Sequence, residues 1–103
     1  MTREEAIPQL SLHRDRIDAI DRELLKLLNQ RTCVVEEIGR IKREAEMPIY
    51  EPKREDQVFQ NVVENNAGPL SADSVKRIFE RIIDEMRKVQ RERMESQAAG
   101  DQS

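Results

Sequence analysis

An apolar residue recurs every seven positions through residues 12–45, and this repeat constrains the fold more than any other feature of the sequence. The stretch contains no proline and a single glycine, Gly39, so the pattern predicts one long helix. We call its two apolar registers the seam. They hold Ile17, Leu24 and Ile38, and Ile20, Leu27, Val34 and Ile41.

Two cations interrupt this pattern. Arg31 occupies the seam position between Leu24 and Ile38, and Lys42 lies about three turns further on, on nearly the same face. A cation in or beside an apolar seam is costly unless an anion meets it. The sequence therefore poses the question of which anion these two residues bind.

The length of the helix predicts that the chain has a partner. At ~1.5 Å per residue, a helix of about 34 residues is roughly 50 Å long. A compact chain of 103 residues has a radius of gyration of about 13 Å. Only 37% of the residues are hydrophobic, so the chain holds little with which to cover its own seam. A second copy is the simplest cover, and we expect a homodimer.

The remaining sequence predicts two further helices and no strand, which gives an all-α chain. Residues 47–52 form a loop, because each of its prolines biases the preceding residue away from helix. A second helix begins at Pro52 and ends near Asn65, and Ser71 or Ser74 caps a third. We expect an N-terminal lead over residues 1–11, a helical domain over residues 12–94, and a polar tail over residues 95–103 that frays. Within the lead, we expect Pro8 to lie outside the first helix and Ser11 to cap that helix.

Composition excludes several classes of function. A net charge of −3 supplies no basic field for nucleic acid, and no segment is apolar enough to span a membrane. The single cysteine, Cys33, cannot form an intrachain disulfide. The sequence shows no metal-ligand spacing, no glycine-rich phosphate loop and no signal peptide. We therefore expect a soluble cytoplasmic protein without a metal or cofactor.

Five polar residues lie on or beside the apolar stripes. They are Arg31 and Lys42 on the first helix, Arg54 and Glu55 at the start of the second, and Gln90 on the third. Each has a simpler interpretation alone: Arg31 as a register-setting residue, Lys42 as an edge residue with its head in water, and the others as surface residues. Together they predict a site between helices for a small ligand with more than one carboxylate. An enzyme with such a site would act by restraint and charge stabilisation rather than by covalent catalysis.

Arg14 adds a further cation. It lies seventeen positions before Arg31, which is about 100° around the helix and about 25 Å along it. It can reach the site of Arg31 only from a second chain, if two long helices pack antiparallel in a dimer. The alternative is a surface ion pair with Asp18, one turn on.

From Leu12 to Gln90 the chain resembles the all-helical class of chorismate mutase, in particular the mutase domain that often precedes a prephenate dehydratase domain. The resemblance is carried by residues 13–21, 24–31, 38–42 and 50–55, together with Ile78, Phe79 and Gln90. It implies an intertwined homodimer of three-helix chains that converts chorismate to prephenate by a Claisen rearrangement, on the branch leading to phenylalanine and tyrosine.

The resemblance also implies roles for individual residues. Arg31 and the partner's Arg14 bind the two substrate carboxylates. Glu55, with the backbone near Glu51, holds the ring hydroxyl, and Arg54 completes the charged wall of the site.

Lys42 and Gln90 are implied to donate hydrogen bonds to the ether oxygen, which gains negative charge as the C–O bond breaks. Two positions depart from the family pattern. Met86 stands where many members have a small polar residue, and Glu51 stands where some have aspartate.

Several alternatives remain open. The same scaffold serves isochorismate pyruvate lyases and mutases that act on an amino analogue of chorismate. A non-enzymatic dimerisation module, with Arg31 and Lys42 setting its register, is another possibility. The chain is also compatible with a mutase that is weak alone and activated by another shikimate-pathway enzyme. No dehydratase, dehydrogenase or regulatory domain follows, so we expect either a monofunctional enzyme or a domain of a longer one.

Overall fold

Three α-helices make up the computed structural model, which describes the backbone of residues 1–101 and the side chains of residues 1–95. They are α1, Arg3–Glu44, α2, Pro52–Glu64, and α3, Ala72–Asp101. Residues 1–101 contain no strand. The predicted all-α class, with three helices and one long N-terminal helix, is therefore confirmed. The homodimer stays a prediction.

Helix α1 begins nine residues earlier than the apolar repeat predicted. The Thr2 hydroxyl accepts a hydrogen bond from the backbone N–H of Glu5 at 3.1 Å, which is the N-terminal half of a capping box. The predictions that Pro8 lies outside the helix and that Ser11 caps it were wrong, since α1 includes both. Proline is tolerated here because the carbonyl that loses its partner lies near an exposed helix end.

A tight reversal ends α1. Glu46 adopts the left-handed conformation, with φ of 56°. The Met47 N–H donates to the Lys42 carbonyl at 2.8 Å, and the Glu46 N–H donates to the Arg43 carbonyl at 3.2 Å. These bonds form a Schellman motif, in which the left-handed residue is usually glycine. The reversal turns the following residues back towards the last turn of α1.

The other helix ends follow from their sequences. Pro52 opens α2, as predicted. Of the two candidate caps for α3, the structure uses Ser71, whose hydroxyl accepts the Ser74 N–H at 3.1 Å. We expected the chain to fray from Glu95, but α3 continues to Asp101. The last two residues of the predicted tail lie outside the described residues.

The chain consists of two compact units, residues 1–33 and residues 34–103, and α1 contributes to both. All of residues 1–33 are described, and none of them is buried. Among the described side chains of residues 34–95, the buried apolar ones come from α1 and α3. They are Val35, Val75, Ile83 and Met86. Within residues 1–101, no helix combines the length and apolarity needed to cross a membrane.

Candidate active site

Lys42 is a buried cation with two acceptors. Lys42 is only 7% exposed, and it forms the one buried face of α1 together with Val35 and Gly39. The ammonium donates to the Ile49 carbonyl at 2.9 Å and pairs with a carboxylate oxygen of Glu51 at 2.7 Å. An ammonium has three N–H donors, so these two contacts leave one N–H for a ligand. The alternative in which the Lys42 head lies in water was wrong.

The turn after α1 supplies both acceptors. Because the chain reverses at Glu46, Ile49 and Glu51 return to the helix turn that carries Lys42. Glu51 is itself partly exposed, since its side chain retains 42% of its accessible surface. The carboxylate thus neutralises the lysine from the solvent side, while the Ile49 carbonyl fixes the direction of the ammonium.

Gln90 lies against the same face of α1. It is 6% exposed, and its side-chain nitrogen donates to the Val35 carbonyl at 3.1 Å. That carbonyl can only accept, so it fixes which end of the amide faces α1. The second amide N–H and the amide oxygen are left for a ligand. The alternative of an exposed glutamine near the helix end was wrong.

Gly39 makes this approach possible. A Cβ atom at position 39 would lie 3.2 Å from Cγ of Gln90, which is closer than ordinary packing allows. The glycine at position 39 therefore allows Gln90 to pack closely against α1. Since Lys42 follows Gly39 by about one turn on the same face, Lys42 and Gln90 occupy neighbouring positions.

Glu55 is paired with an arginine that the sequence analysis missed. The Arg87 Nε lies 3.1 Å from Oε2 of Glu55, and the Glu55 side chain is 19% exposed. The Arg87 Nη2 donates to Asp84 at 2.7 Å, and the guanidinium lies 5.3 Å from the ring centroid of Tyr50. This cluster joins α2, α3 and the segment between α1 and α2.

A sequence signal for Arg87 did exist. It follows the buried Ile83 by four positions and precedes Gln90 by three, so it lies on the inner stripe of α3. This signal is weak because arginines and lysines are frequent throughout α3, and most of them are exposed.

Arg54 differs from its neighbour Glu55. It is exposed, and its one hydrogen bond within the described part of the chain goes to Gln57, at a long 3.5 Å. The structure thus brings Lys42 together with Glu51 and brings Glu55 together with Arg87. Among residues 1–95, Arg54 forms no hydrogen bond or ion pair with either pair.

The two remaining candidates belong to residues 1–33. Arg31 is partly buried, whereas Arg14 is exposed. The surface ion pair between Arg14 and Asp18 is not formed among the described side chains. Arg14 therefore has no ionic partner on its own helix, and its role stays a prediction.

Together, these contacts describe a site for stabilising negative charge on an oxygen. Lys42 and Gln90 each keep a donor after satisfying a protein carbonyl, and both are held by fixed acceptors. Donors that are fixed in this way need little reorganisation when charge develops on a ligand. In the described residues no group of three or more His, Cys, Asp or Glu side chains is placed to hold a metal ion.

Comparisons with known proteins agree on one family. The family model described as Chorismate mutase type II matches residues 13–91. A bifunctional chorismate mutase/prephenate dehydratase of Neisseria gonorrhoeae is 39% identical over 79 residues, which are 77% of this chain and 21% of that protein. The chain thus spans about a fifth of the length of the curated relatives that it matches.

Two solved structures resemble the chain closely. A chorismate mutase from Helicobacter pylori, in complex with prephenate, has a TM-score of 0.80 and 30% identity, covering 85% of this chain and 96% of that one. A chorismate mutase from Thermus thermophilus has a TM-score of 0.79 and 30% identity, covering 81% and 94%. The residues matched by the family model include Lys42, Glu55 and Gln90.

Proposed function

This chain belongs to the type II chorismate mutase family, and from that premise we propose that it converts chorismate to prephenate by an intramolecular Claisen rearrangement. The main support is the buried pair of donors, Lys42 and Gln90, at one face of α1. The reaction breaks the ether C–O bond and forms a C–C bond within one molecule. It needs no nucleophile and no proton transfer, which suits a site made of fixed donors and ion pairs.

Catalysis then follows from differential binding. The ether oxygen carries more negative charge in the transition state than in chorismate, so a donor aimed at it lowers the barrier. The third N–H of Lys42 and the second amide N–H of Gln90 are the donors that we assign to this oxygen. Ile49 and Glu51 hold Lys42 in place beforehand, which spares the cost of orienting it during the reaction.

The remaining residues restrain the substrate. By resemblance, Arg31 and the partner's Arg14 bind the two carboxylates and favour the compact conformer in which the enolpyruvyl arm lies over the ring. Glu55 and the backbone near Glu51 hold the ring hydroxyl. Arg54 contributes positive charge at the rim, consistent with its exposure.

We further propose that the chain works as an intertwined homodimer. Seam residues in residues 1–33 remain between 50% and 61% exposed; they are Ile17, Ile20, Leu24 and Leu27. So long a row of exposed apolar side chains is unusual for a monomer and typical of an interaction surface. A second copy covers this row and brings its Arg14 to the site of its partner. Activation by another shikimate-pathway enzyme and a cytoplasmic location stay predictions.

One assay tests the activity directly. Purified protein is mixed with chorismate, the loss of ultraviolet absorbance is followed, and the product is identified as prephenate. Absence of turnover at high enzyme concentration would contradict the proposal. Release of pyruvate from isochorismate, without turnover of chorismate, would instead support a lyase. Turnover of only an amino analogue would support the third enzyme on this scaffold.

A mixing experiment tests the donation of Arg14. Arg14→Ala and Arg31→Ala are each expected to be nearly inactive, because each substitution removes from every site one of the two arginines that bind the substrate carboxylates. In an equal mixture, about half of the dimers pair the two variants, and each of these regains one intact site of two. About a quarter of wild-type activity should therefore return after subunit exchange. If the mixture stays inactive although the subunits exchange, both arginines serve the site of their own chain.

A further inference from the structure

Arg87 is the least explained residue of the candidate site. It projects from α3 towards Glu55 on α2 and lies over the ring of Tyr50, while Asp84 pairs with it one turn earlier on its own helix. Its side chain is 30% exposed, less than that of Asp84, which is 55% exposed. Ring, aspartate and glutamate together fix the plane of the guanidinium group.

The contact between Arg87 and Glu55 is ionic rather than strongly hydrogen bonded. The Nε atom lies 3.1 Å from Oε2 of Glu55 but is not aligned for a hydrogen bond, and this buried N–H has no other acceptor among the described residues. The contact from Nη2 to Oε1 is 3.5 Å long. A carboxylate accepts about four hydrogen bonds. Glu55 therefore keeps most of its accepting capacity while its charge is balanced.

This arrangement suits a carboxylate that receives a hydroxyl from a ligand. A fully hydrogen-bonded Arg–carboxylate fork would occupy about two of these four accepting sites and leave fewer for the ligand. Without any cation, a carboxylate that is 19% exposed would carry an unbalanced charge. Arg87 avoids both situations, because it supplies the charge and leaves the lone pairs.

We propose that Arg87 is a positioning residue for substrate binding: it holds Glu55 in the orientation in which the carboxylate accepts the ring hydroxyl of chorismate. This inference rests on the proposed function. The ring hydroxyl gains no charge as the ether bond breaks, so its contact stabilises substrate and transition state about equally. The effect of losing Arg87 should therefore fall on KM rather than on kcat.

The test compares kinetic constants of several variants. We expect Arg87→Met to raise KM for chorismate about tenfold with kcat changed less than about twofold, the pattern of lost uniform binding. Arg87→Lys should recover part of the loss, because it keeps the charge but cannot match the geometry. Arg81→Met serves as the matched control. It makes the same substitution at an arginine of α3 whose side chain is 77% exposed and pairs with Glu85 on its own helix, so it should leave KM within about twofold of wild type.

A double-variant cycle separates positioning from a general structural effect. Glu55→Gln keeps the size of the side chain and removes the charge that Arg87 balances. If Arg87 acts through Glu55, adding Arg87→Met to Glu55→Gln causes no further rise in KM. If the two substitutions raise KM by factors that multiply in the double variant, the inference is overturned. It is also overturned if Arg87→Met lowers kcat in parallel with a lower Tm. If Arg87→Met does not fold, the same comparison with Arg87→Lys decides. A wild-type chain without turnover would overturn the proposed function itself, and this inference with it.

Discussion

Helix α1 has two parts that differ in what covers them. In residues 34–103 its seam residues are still exposed, but a neighbouring face, made of Val35, Gly39 and Lys42, is buried. In residues 1–33 neither face of the helix is buried. The buried face carries a smaller and more polar set of residues than the seam. The folded chain therefore buries the face of α1 that carries Lys42 and leaves the more apolar face exposed.

The contrast teaches that a seven-residue repeat shows where a surface lies but not what covers it. On the buried face of α1, Gly39 lets Gln90 approach closely, and the reversal at Glu46 brings the next residues back to Lys42. The repeat is the pattern expected of a surface that pairs with another helix. Substitutions on the two faces of α1, and at the turn that follows Lys42, test this division between a seam for pairing and a face for chemistry.

The largest effect is expected on the seam. Leu24→Glu should convert the proposed dimer to a monomer and abolish activity. Covering a leucine contributes about 1.5–3 kcal/mol, and a symmetric interface counts it twice, so the loss is about 3–6 kcal/mol per dimer. The dimer dissociation constant should rise by about 10²–10⁴-fold. Sedimentation velocity measures it.

Lys26→Glu is the matched control, because it places the same residue on the opposite, exposed side of α1. It should leave the dissociation constant nearly unchanged. An unchanged sedimentation coefficient for Leu24→Glu would show that the seam is not a dimer interface.

Lys42→Ala tests the other face. Removing one preorganised donor to a developing oxyanion should raise the barrier by ~3–4 kcal/mol, a loss of about 10²–10³-fold in kcat. The fold should survive, because Glu51 is partly exposed and can be hydrated. Steady-state kinetics and sedimentation, measured on the same sample, separate the two effects.

Lys53→Ala, at an exposed position in the first turn of α2, is the control and should retain activity. A Lys42→Ala variant that dissociates to monomers would instead favour the interpretation in which Lys42 sets the register of the helices.

Gly39→Ala should separate stability from activity. Alanine gains up to ~1 kcal/mol of helix propensity, but its Cβ must displace Gln90 from 3.2 Å. We expect little change in Tm and a fall of about tenfold in kcat, equivalent to about 1.4 kcal/mol in barrier.

Gly68→Ala provides the opposite pattern. Nothing lies within 4 Å of a Cβ at this position, but φ is +79°, a conformation that suits glycine. This variant should lower Tm and leave kcat unchanged. Equal effects of both substitutions on kcat would show that Gly39 does not act through Gln90.

Glu46→Gly should have the smallest effect. The left-handed conformation destabilises a folded chain by about 1–2 kcal/mol when a non-glycine residue adopts it. Glycine avoids this cost but loses about 0.5–1 kcal/mol of stability, because it has more conformational freedom in the unfolded chain. The net gain of roughly 0.5–1 kcal/mol should raise Tm by a few degrees. Ala45→Gly, one residue earlier, should lower Tm, because Ala45 is not in the left-handed conformation and glycine removes no strain there. A Glu46→Gly variant less stable than wild type would contradict the cost assigned to the turn.

Most of the fold could be predicted from residues with strong local preferences. The repeat around Leu24 predicted the long helix, and Pro52 and Ser71 marked the starts of the others. The predicted start of α1 was wrong because Pro8 was expected to lie outside the helix, whereas α1 starts at Arg3 and the Thr2 hydroxyl accepts the Glu5 N–H. A proline near the start of a helix is a weaker barrier than one in its interior.

The sequence singled out candidate residues but could not predict which groups they contact. Lys42, Glu55 and Gln90 stood out because each is polar on or beside an apolar stripe. That Lys42 would meet the Ile49 carbonyl depends on a left-handed glutamate, which sequence preference argues against. That Glu55 would meet Arg87 depends on how α2 and α3 pack, which no single-helix pattern contains.

The reversal at the end of α1 also makes part of the site independent of the rest of the chain. Lys42 and both of its acceptors lie within residues 42–51. A loop of about ten residues closes in roughly 10–100 ns, long before distant segments meet, and its closure entropy is modest. Both acceptors of this lysine can therefore be placed without a contribution from α3 or from a second chain. A helical bundle of different ancestry that ended a helix with the same ten residues would acquire an ammonium with the same two acceptors, already oriented and already neutralised.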